Sequence, residues 1–430
     1  MDEAEFLDRT QRISEAFRPA APMNRRDLFA GRVQQIADVF SIVSQPGQHA
    51  LVYGERGVGK TSLGMVTAEL LQAANVLSAW ATCDASDDFT TVWHKALGEI
   101  GLTTTKQAIG FGERIDERAE PLSKLLGSGP VTPHTVQRAL EHASRQRPIA
   151  IFIDEFDRFR QPDGRALFAD TIKALSDRVV SSTIVLIGVA DSVGELIREH
   201  RSVERALVQI QMPRMSPTEL AEIATNGVAA AQMTIAGTAV TRITALSQGL
   251  PHYTHLLTQL AAQSALSDRR THIGTRDVDA AVTRAIERAQ QSIVDAYRDA
   301  VIGRRGAIYP QVLLACALAQ EDEFGYFGSS DVREPLSRIL DKPSSPSTFA
   351  RHLEELSSES HGSILQRSGS AGAARYRFVN PLIQPYVAMR GISEGVVRAS
   401  DLQLQDKRVG GRNRGREGQG PKTRSSSSSS

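Results

Sequence analysis

Short, almost unbroken apolar runs alternate along this chain with longer stretches whose apolar side chains recur every three or four residues. The runs are His49-Ala50-Leu51-Val52-Tyr53, Ile149-Ala150-Ile151-Phe152-Ile153 and Thr183-Ile184-Val185-Leu186-Ile187-Gly188-Val189. Continuous apolarity of this length predicts strands covered on both faces by helices. The runs stop at Gly54, at Asp154-Glu155 and at Ala190-Asp191, and residues 75–81 read as one more strand. Between them, Val33, Ile36, Val39 and Phe40 open a helix that ends before Pro46-Gly47. Residues 61–71, 89–100 and 131–145 read as further helices, the last with Pro133 near its start, where a missing N–H costs nothing. Residues 102–129 take no assignment. Alternation of this kind predicts an α/β fold around a parallel sheet, with ligands beyond the carboxyl ends of the strands.

After Pro213 the period of two disappears. Ser216-Pro217-Thr218-Glu219 combines a cap, a first-turn proline and an acid three residues after the cap, a strong helix start. Residues 216–300 read as a helical domain without strands, closing in a long helix from about Thr275 to Ala300. From Tyr309 onward the pattern predicts helices over 310–319, 330–340 and 347–356. Two strands follow over 364–367 and 375–378, joined by Ser368-Gly369-Ser370-Ala371-Gly372, which is the plan of a winged helix. Residues 1–28, broken by Pro19 and Pro22, are either a loose arm or a short helix lying on the first domain. Beyond residue 396, arginines and lysines set among glycines, ending in six serines, cannot form a core. The resulting divisions are 1–28, 29–215, 216–300, 301–396 and 397–430.

Composition narrows the picture modestly. A chain of 430 residues with 41% apolar side chains supports two or three domains. Fifty Lys plus Arg against forty-nine Asp plus Glu give a formal charge of +1, so any basic binding site must be local. Two cysteines, Cys83 and Cys316, suit a reducing compartment, and no apolar stretch has the length to cross a bilayer; the expectation is a cytoplasmic protein with no membrane association of its own.

The chemistry concentrates at the ends of the apolar runs. Gly54-Glu55-Arg56-Gly57-Val58-Gly59-Lys60-Thr61, followed by Ser62, sits between strand and helix. Its glycines allow backbone N–H groups to converge on phosphate oxygens, Lys60 reaches the β and γ phosphates, and Thr61 offers a hydroxyl to Mg²⁺. Such a site needs a carboxylate for the metal at the end of a neighbouring strand. Asp154 takes that role, and Glu155 beside it is placed to orient and activate water for the hydrolysis of ATP. Asp191 either contacts the γ-phosphate through an intermediary or caps the next turn. Of Arg198, Arg201 and Arg205, Arg205 is the choice for a guanidinium delivered to the developing charge of a neighbouring subunit's nucleotide.

Phe29-Ala30-Gly31-Arg32, the P-loop, Asp154-Glu155, the strand ending at Asp191, Arg205, Gly249-Leu250-Pro251-His252 and the terminal winged helix together resemble the AAA+ ATPases of the origin-recognition clade and related prokaryotic STAND-like ATPases. The resemblance covers roughly residues 25–390. It implies a P-loop parallel sheet with a helical lid and an ATP-driven oligomeric or conformational switch. It also implies adenine near Gly31 and Arg32, a first sensor at Asp191, the finger at Arg205 and a second sensor beside Pro251. This chain departs from the pattern in carrying Asp191 where Asn, Ser or Thr is usual, and His252 where arginine is usual. A neutral imidazole does not grip a γ-phosphate as a guanidinium does, so turnover is expected to be slow.

For the C-terminal half, Arg351 on the last helix and Arg367, Arg375 and Arg377 on or beside the wing are the candidates for duplex DNA, against a reading of the domain as a protein-docking or oligomer-stabilising module. Three functions follow: a DNA-associated ATP switch, a signalling or defence ATPase acting through a separate effector, and the ATPase of a transposition apparatus. A translocating motor is disfavoured, because a basic, aromatic-lined track has no counterpart in the sequence.

Overall fold

The computed structural model describes residues 1–19, 31–106, 116–161, 163–189, 203–302, 308–322, 324–370, 373–398 and 401–402. Helix α1 (Glu3–Ala16) is capped by Asp2, whose carboxylate accepts the Glu5 N–H at 2.8 Å, and α2 (Val33–Val43) follows Gly31-Arg32. The sheet region then runs β1 (His49–Gly54), α3 (Lys60–Ala73), β2 (Leu77–Thr82), α4 (Phe89–Gly98), the hairpin β3 (Gly101–Lys106) and β4 (Asp116–Pro121), α5 (Pro133–Ala143), β5 (Ile149–Asp154), α6 (Gly164–Asp177), β6 (Ser182–Gly188) and β7 (Leu207–Met212). Five strands form one sheet in the order β2-β5-β6-β1-β7, every pairing parallel. All residues of β5 and β6 are buried, as their apolar runs require of strands in the middle of a sheet with helices on both faces.

Strand β7 was not legible in the sequence. It lies at the edge of the sheet, where Gln209 and Gln211 interrupt the apolar residues and Val208 is exposed, so no continuous apolar run marks the strand and Leu207, Ile210 and Met212 are its buried residues. The unassigned segment 102–129 contains the β3–β4 hairpin and a 3₁₀ turn at Leu122–Leu126.

The helical region comprises α7 (Pro217–Ala230), α8 (Gly237–Ser247), α9 (Pro251–Ser267) and α10 (Thr275–Glu287), with a two-residue parallel bridge between β8 (Thr234–Ile235) and β9 (His272–Ile273). The capping box at Ser216 forms as expected: Ser216 Oγ accepts the Glu219 N–H and the Glu219 carboxylate accepts the Ser216 N–H. Helix α1 packs on α7 and α9, so the N-terminal helix lies on the helical region and not on the sheet region. Phe17 fills the space over Gly227 that a larger residue there would occupy.

The expected single helix over 275–300 is two helices, α10 and α11 (Gln291–Val301), with the break at Arg288–Gln290. Neither proline nor glycine causes it. The apolar stripe Val278, Ala281, Val282 and Ala285 packs α10 against α9, whereas Ile293 and Ala300 commit α11 to the C-terminal region; one straight helix cannot bury both stripes.

The C-terminal region contains α12 (Tyr309–Ala317), β10 (Phe327–Gly328), α13 (Ser329–Ile339), α14 (Pro346–Leu356), β11 (Leu365–Ser368), β12 (Arg375–Phe378) and α15 (Ile383–Ser393). Its three strands form an antiparallel sheet in the order β10-β12-β11. One continuous apolar core joins this region to the helical region and to one face of the parallel sheet, and a second core lies on the sheet's other face. Among the described residues no helix is long and apolar enough to cross a membrane.

Candidate nucleotide site

The loop between β1 and α3 is shaped by glycine where only glycine serves. Gly57 and Gly59 have φ of 87° and 95°, the left-handed region that a β-carbon disfavours. Gly54 is required for a different reason: a β-carbon there would lie 2.3 Å from the carbonyl oxygen of Met212 on the adjacent strand. The Lys60 ammonium donates to the carbonyls of Gly54 at 3.1 Å and Glu55 at 2.8 Å, curling back over the loop. Burial pushes its pKa down to about 8, opposed chiefly by the negative charges of Asp157 and Asp154.

Asp154 ends β5 almost fully buried. One carboxylate oxygen accepts the Glu155 N–H at 2.8 Å, and the Thr61 hydroxyl bonds to the same side chain. Burial raises its pKa, and the two hydrogen bonds oppose that rise. Glu155 sits in the left-handed region at φ 51°, so the chain turns sharply after the strand and holds the Glu155 carboxylate beside Asp154 at the cavity wall. Arg158 Nη1 donates to Glu155 Oε2 at 2.7 Å, and Asp157 Oδ1 accepts the Val189 N–H at 3.3 Å just beyond β6.

These groups line a cavity of about 310 Å³ at the carboxyl end of the sheet. From the sequence candidates the cavity collects Arg56, Gly57, Gly59, Lys60, Thr61, Ser62, Asp154, Glu155, Pro251 and His252. The others stand elsewhere. Gly54 and Glu55 face a second cavity, and Val58 is wholly buried beneath the loop. Arg32, the buried residue before α2, donates to the carbonyls of Val58 and Pro213, while its own N–H reaches Glu219 at 3.2 Å; it braces the loop from behind. Gly31 packs against the Glu219 side chain. Arg205 is exposed in a turn before β7 and does not line the cavity of its own chain. Asp191, Arg198 and Arg201 lie outside the described residues.

Several groups at the site escaped the sequence reading. Asp157 and Arg158 stand only two and three residues after the Asp154-Glu155 pair, so their proximity was available as a signal. Arg18, Pro19, His255 and Leu382 were not, because their approach depends on how α1, α9 and the C-terminal region pack. His252 Nδ1 donates to the Pro19 carbonyl at 2.7 Å, and burial lowers its pKa, so the imidazole is neutral and committed to the N-terminal segment. Leu382 lies against Gly57, and the Tyr253 hydroxyl donates to the Leu382 carbonyl at 2.6 Å, bringing the C-terminal region directly onto the P-loop.

A glycine-wrapped loop after the first strand of a parallel sheet, a lysine and a hydroxyl at the following helix start, and an acidic pair at the end of a nearby strand define a P-loop NTPase. The family model of Novel STAND NTPase 1 matches residues 17–314, and the chain belongs to that family. Of the two kinds of ATPase that the sequence resembles, the family match falls on the STAND side. A search of the curated proteins found no match. Among solved structures, the chain is similar to Cdc6p from Pyrobaculum aerophilum at 14% identity, covering 92% of this chain and 98% of that one with a TM-score of 0.45. The Aeropyrum pernix ORC1 protein in complex with DNA is 16% identical over 84% of this chain and 92% of that one, with a TM-score of 0.43. A Walker-type ATPase of Pyrococcus abyssi is 15% identical over 86% and 98%, with a TM-score of 0.49.

Proposed function

We propose that this protein is a Mg-ATP-dependent switch that hydrolyses ATP slowly and uses the nucleotide state to set the seating of its C-terminal region. The observation that carries the reading is the direct packing of that region on the P-loop, through Leu382 at Gly57 and through Arg214 between Glu55 and Glu321. A loop that changes conformation around a triphosphate tail cannot do so without moving these contacts.

The residues fit a magnesium ion. The Thr61 hydroxyl and the Asp154 carboxylate already meet by hydrogen bond, and a hard divalent cation takes such oxygen donors. When bound, it would neutralise phosphate charge. The chain's own groups supply the rest. Loop N–H groups and Lys60 hold the phosphates, and the Asp154 carboxylate stands beside Thr61 to hold the metal. Glu155 accepts a proton from the water whose oxygen bonds to the γ-phosphorus as the bond to the β-bridging oxygen breaks, giving ADP and phosphate. With His252 turned to Pro19, no guanidinium from that position meets the developing charge, which supports slow turnover. Arg205, exposed on the chain's own surface, suits delivery to a neighbouring copy, with self-association in the ATP state as the consequence.

The C-terminal region is read as a winged helix, with β11 and β12 as the wing. Its partner is duplex DNA in the first reading and a separate effector, transposition or replication protein in the second. Arg351 and Arg367 are exposed and favour DNA, but the four arginines do not form one stripe. Arg367 pairs across the ladder with Tyr376 on one face, while Arg375 and Arg377 share the opposite face over the Tyr326 ring. Arg375 is also bound to Asp322, and Arg351 to Glu355.

The deciding experiment compares Mg-ATP binding and turnover in the parental chain and Glu155→Gln. Binding retained with turnover lost supports the reading; turnover at the parental rate removes Glu155 from its role. Particle mass with and without ATP and duplex DNA then tells assembly from DNA association.

A further inference from the structure

A further cavity, of about 540 Å³, lies where the three regions of the chain meet. The exit of β7 contributes Arg214 and Met215, the helical region Leu220 and Gln248, and the C-terminal region Glu321 and Gln384. No residue of this wall lines the nucleotide cavity.

Hydrogen bonding in the wall is lopsided. The side-chain amides of Gln248 and Gln384 both turn their nitrogens to the Ala317 carbonyl, at 2.8 and 3.3 Å, which points their oxygens elsewhere. Gln384 also meets the Glu321 carboxylate, so the three side chains share one corner. Three oxygens of that corner, Gln248 Oε1, Gln384 Oε1 and Glu321 Oε1, are buried without a donor, and Gln384 is only 3% exposed. Buried acceptors are ordinarily paired, because an unpaired one forfeits the hydrogen bond it made to water.

The charges call for the same kind of partner. Arg214 is the one cation of the described wall, and its guanidinium is committed: Nε to Glu55, Nη1 to Glu321 Oε2 and to the Gln248 carbonyl. Of the three carboxylates in the wall, Glu219 is met by Ser216 and by the Arg32 N–H, and Asp322 by Arg375 and two backbone N–H groups. Glu321 keeps one oxygen open. Unpaired acceptors beside surplus negative charge suit a positive group that donates several hydrogen bonds and accepts none. A primary ammonium has three N–H donors and no acceptor, one donor for each oxygen. The buried side chains of Met215, Leu220 and Leu402 give an aliphatic stem an apolar wall to lie on.

We propose that this cavity binds a small aliphatic amine, with its ammonium held by Gln248, Gln384 and Glu321. The volume lies within the range of small-ligand sites, and the assignment does not depend on the reading of the nucleotide site.

Pentylamine is the probe, titrated by calorimetry into the full chain at about pH 8, above the value of about 7 to which burial pushes the Glu321 carboxyl. Saturable binding of one molecule per chain is expected. Pentanol has the stem without the charge, and pentyltrimethylammonium has the charge without N–H donors; both are expected to bind at least about tenfold more weakly, as loss of charge-assisted hydrogen bonds predicts. Glu321→Gln and Gln384→Met, the second deleting an acceptor at nearly constant volume, are each expected to weaken pentylamine binding by about the same factor. Unchanged circular dichroism and a cooperative unfolding transition check that each variant is folded, and Gln384→Met decides by itself if Glu321→Gln does not fold. Failure of pentylamine to bind would leave water as the donor and overturn the site. Equal binding of pentyltrimethylammonium, or unchanged affinity in a folded variant, overturns it as well.

Discussion

The Arg214 guanidinium donates from Nε to the Glu55 carboxylate at 2.6 Å, tying the exit of β7 to the second residue of the P-loop. Its Nη1 reaches Glu321 in the C-terminal region at 2.8 Å, so one cation serves two carboxylates where the three regions of the chain meet. All three side chains are largely buried, which makes the arrangement sensitive to the loss of its single positive charge.

Arg214→Met leaves Glu55 and Glu321 facing each other without a counter-charge. Removing one partner of a buried pair costs about 3–5 kcal/mol. Denaturant unfolding is therefore expected to show a loss of that order, partly restored by adding Glu321→Gln. A loss within experimental error of zero would mean that water reaches the cluster.

Glu321 supplies a pH dependence. Burial pushes its pKa up to about 7 from the usual 4.5, with Arg214 opposing the rise and Glu55 adding to it. The folded protein therefore binds this proton more tightly than the unfolded chain. The contribution to stability is complete below pH 4.5 and is lost as pH rises through 7, in total about 3 kcal/mol at most. The buried His255, whose pKa is lowered to about 4, acts in the opposite sense, so the contribution must be isolated. The difference in unfolding free energy between the parental chain and Glu321→Gln should fall between pH 5 and pH 7.5. A difference independent of pH would show that Glu321 keeps an ordinary pKa.

Gly54→Ala tests the junction of β1 with β7. The added methyl would sit 2.3 Å from the Met212 carbonyl oxygen, which is backbone and cannot rotate away. Forced overpacking costs about 1–3 kcal/mol, and here it also disturbs the loop that follows. Both a lowered unfolding free energy and weaker nucleotide binding are expected, measured by denaturant titration and by equilibrium dialysis.

Lys60→Ala removes the ammonium that lies over the Gly54 and Glu55 carbonyls. Loss of a charge-assisted phosphate contact predicts about tenfold to hundredfold weaker Mg-ATP binding, with little change in stability because the freed carbonyls lie near the open cavity. Fluorescent-nucleotide competition checks the affinity. Unchanged affinity would show that the phosphates do not reach Lys60.

Much of the sheet region was legible because its signals are local. Residues 149–153 and 184–187 are apolar without interruption because both faces of β5 and β6 are covered, and the P-loop is read from eight adjacent residues whose backbone itself makes the cradle. Strand β7 escaped because Gln209 and Gln211 break its apolar run at the edge of the sheet, and the break between α10 and α11 escaped because helix propensity continues through it while packing does not.

The sequence by itself determined the strand–loop–helix that cradles phosphate and the acidic pair at the end of β5, since each is specified by neighbours in the chain. Tertiary structure alone decided which distant groups attend them: Pro19 at His252, Glu219 behind Arg32, Leu382 over Gly57, and Arg214 between Glu55 and Glu321. The physical reason is that these contacts join residues up to hundreds of positions apart. Their partners are selected by burial and charge balance after the helices have packed, and no periodicity along the chain encodes that choice.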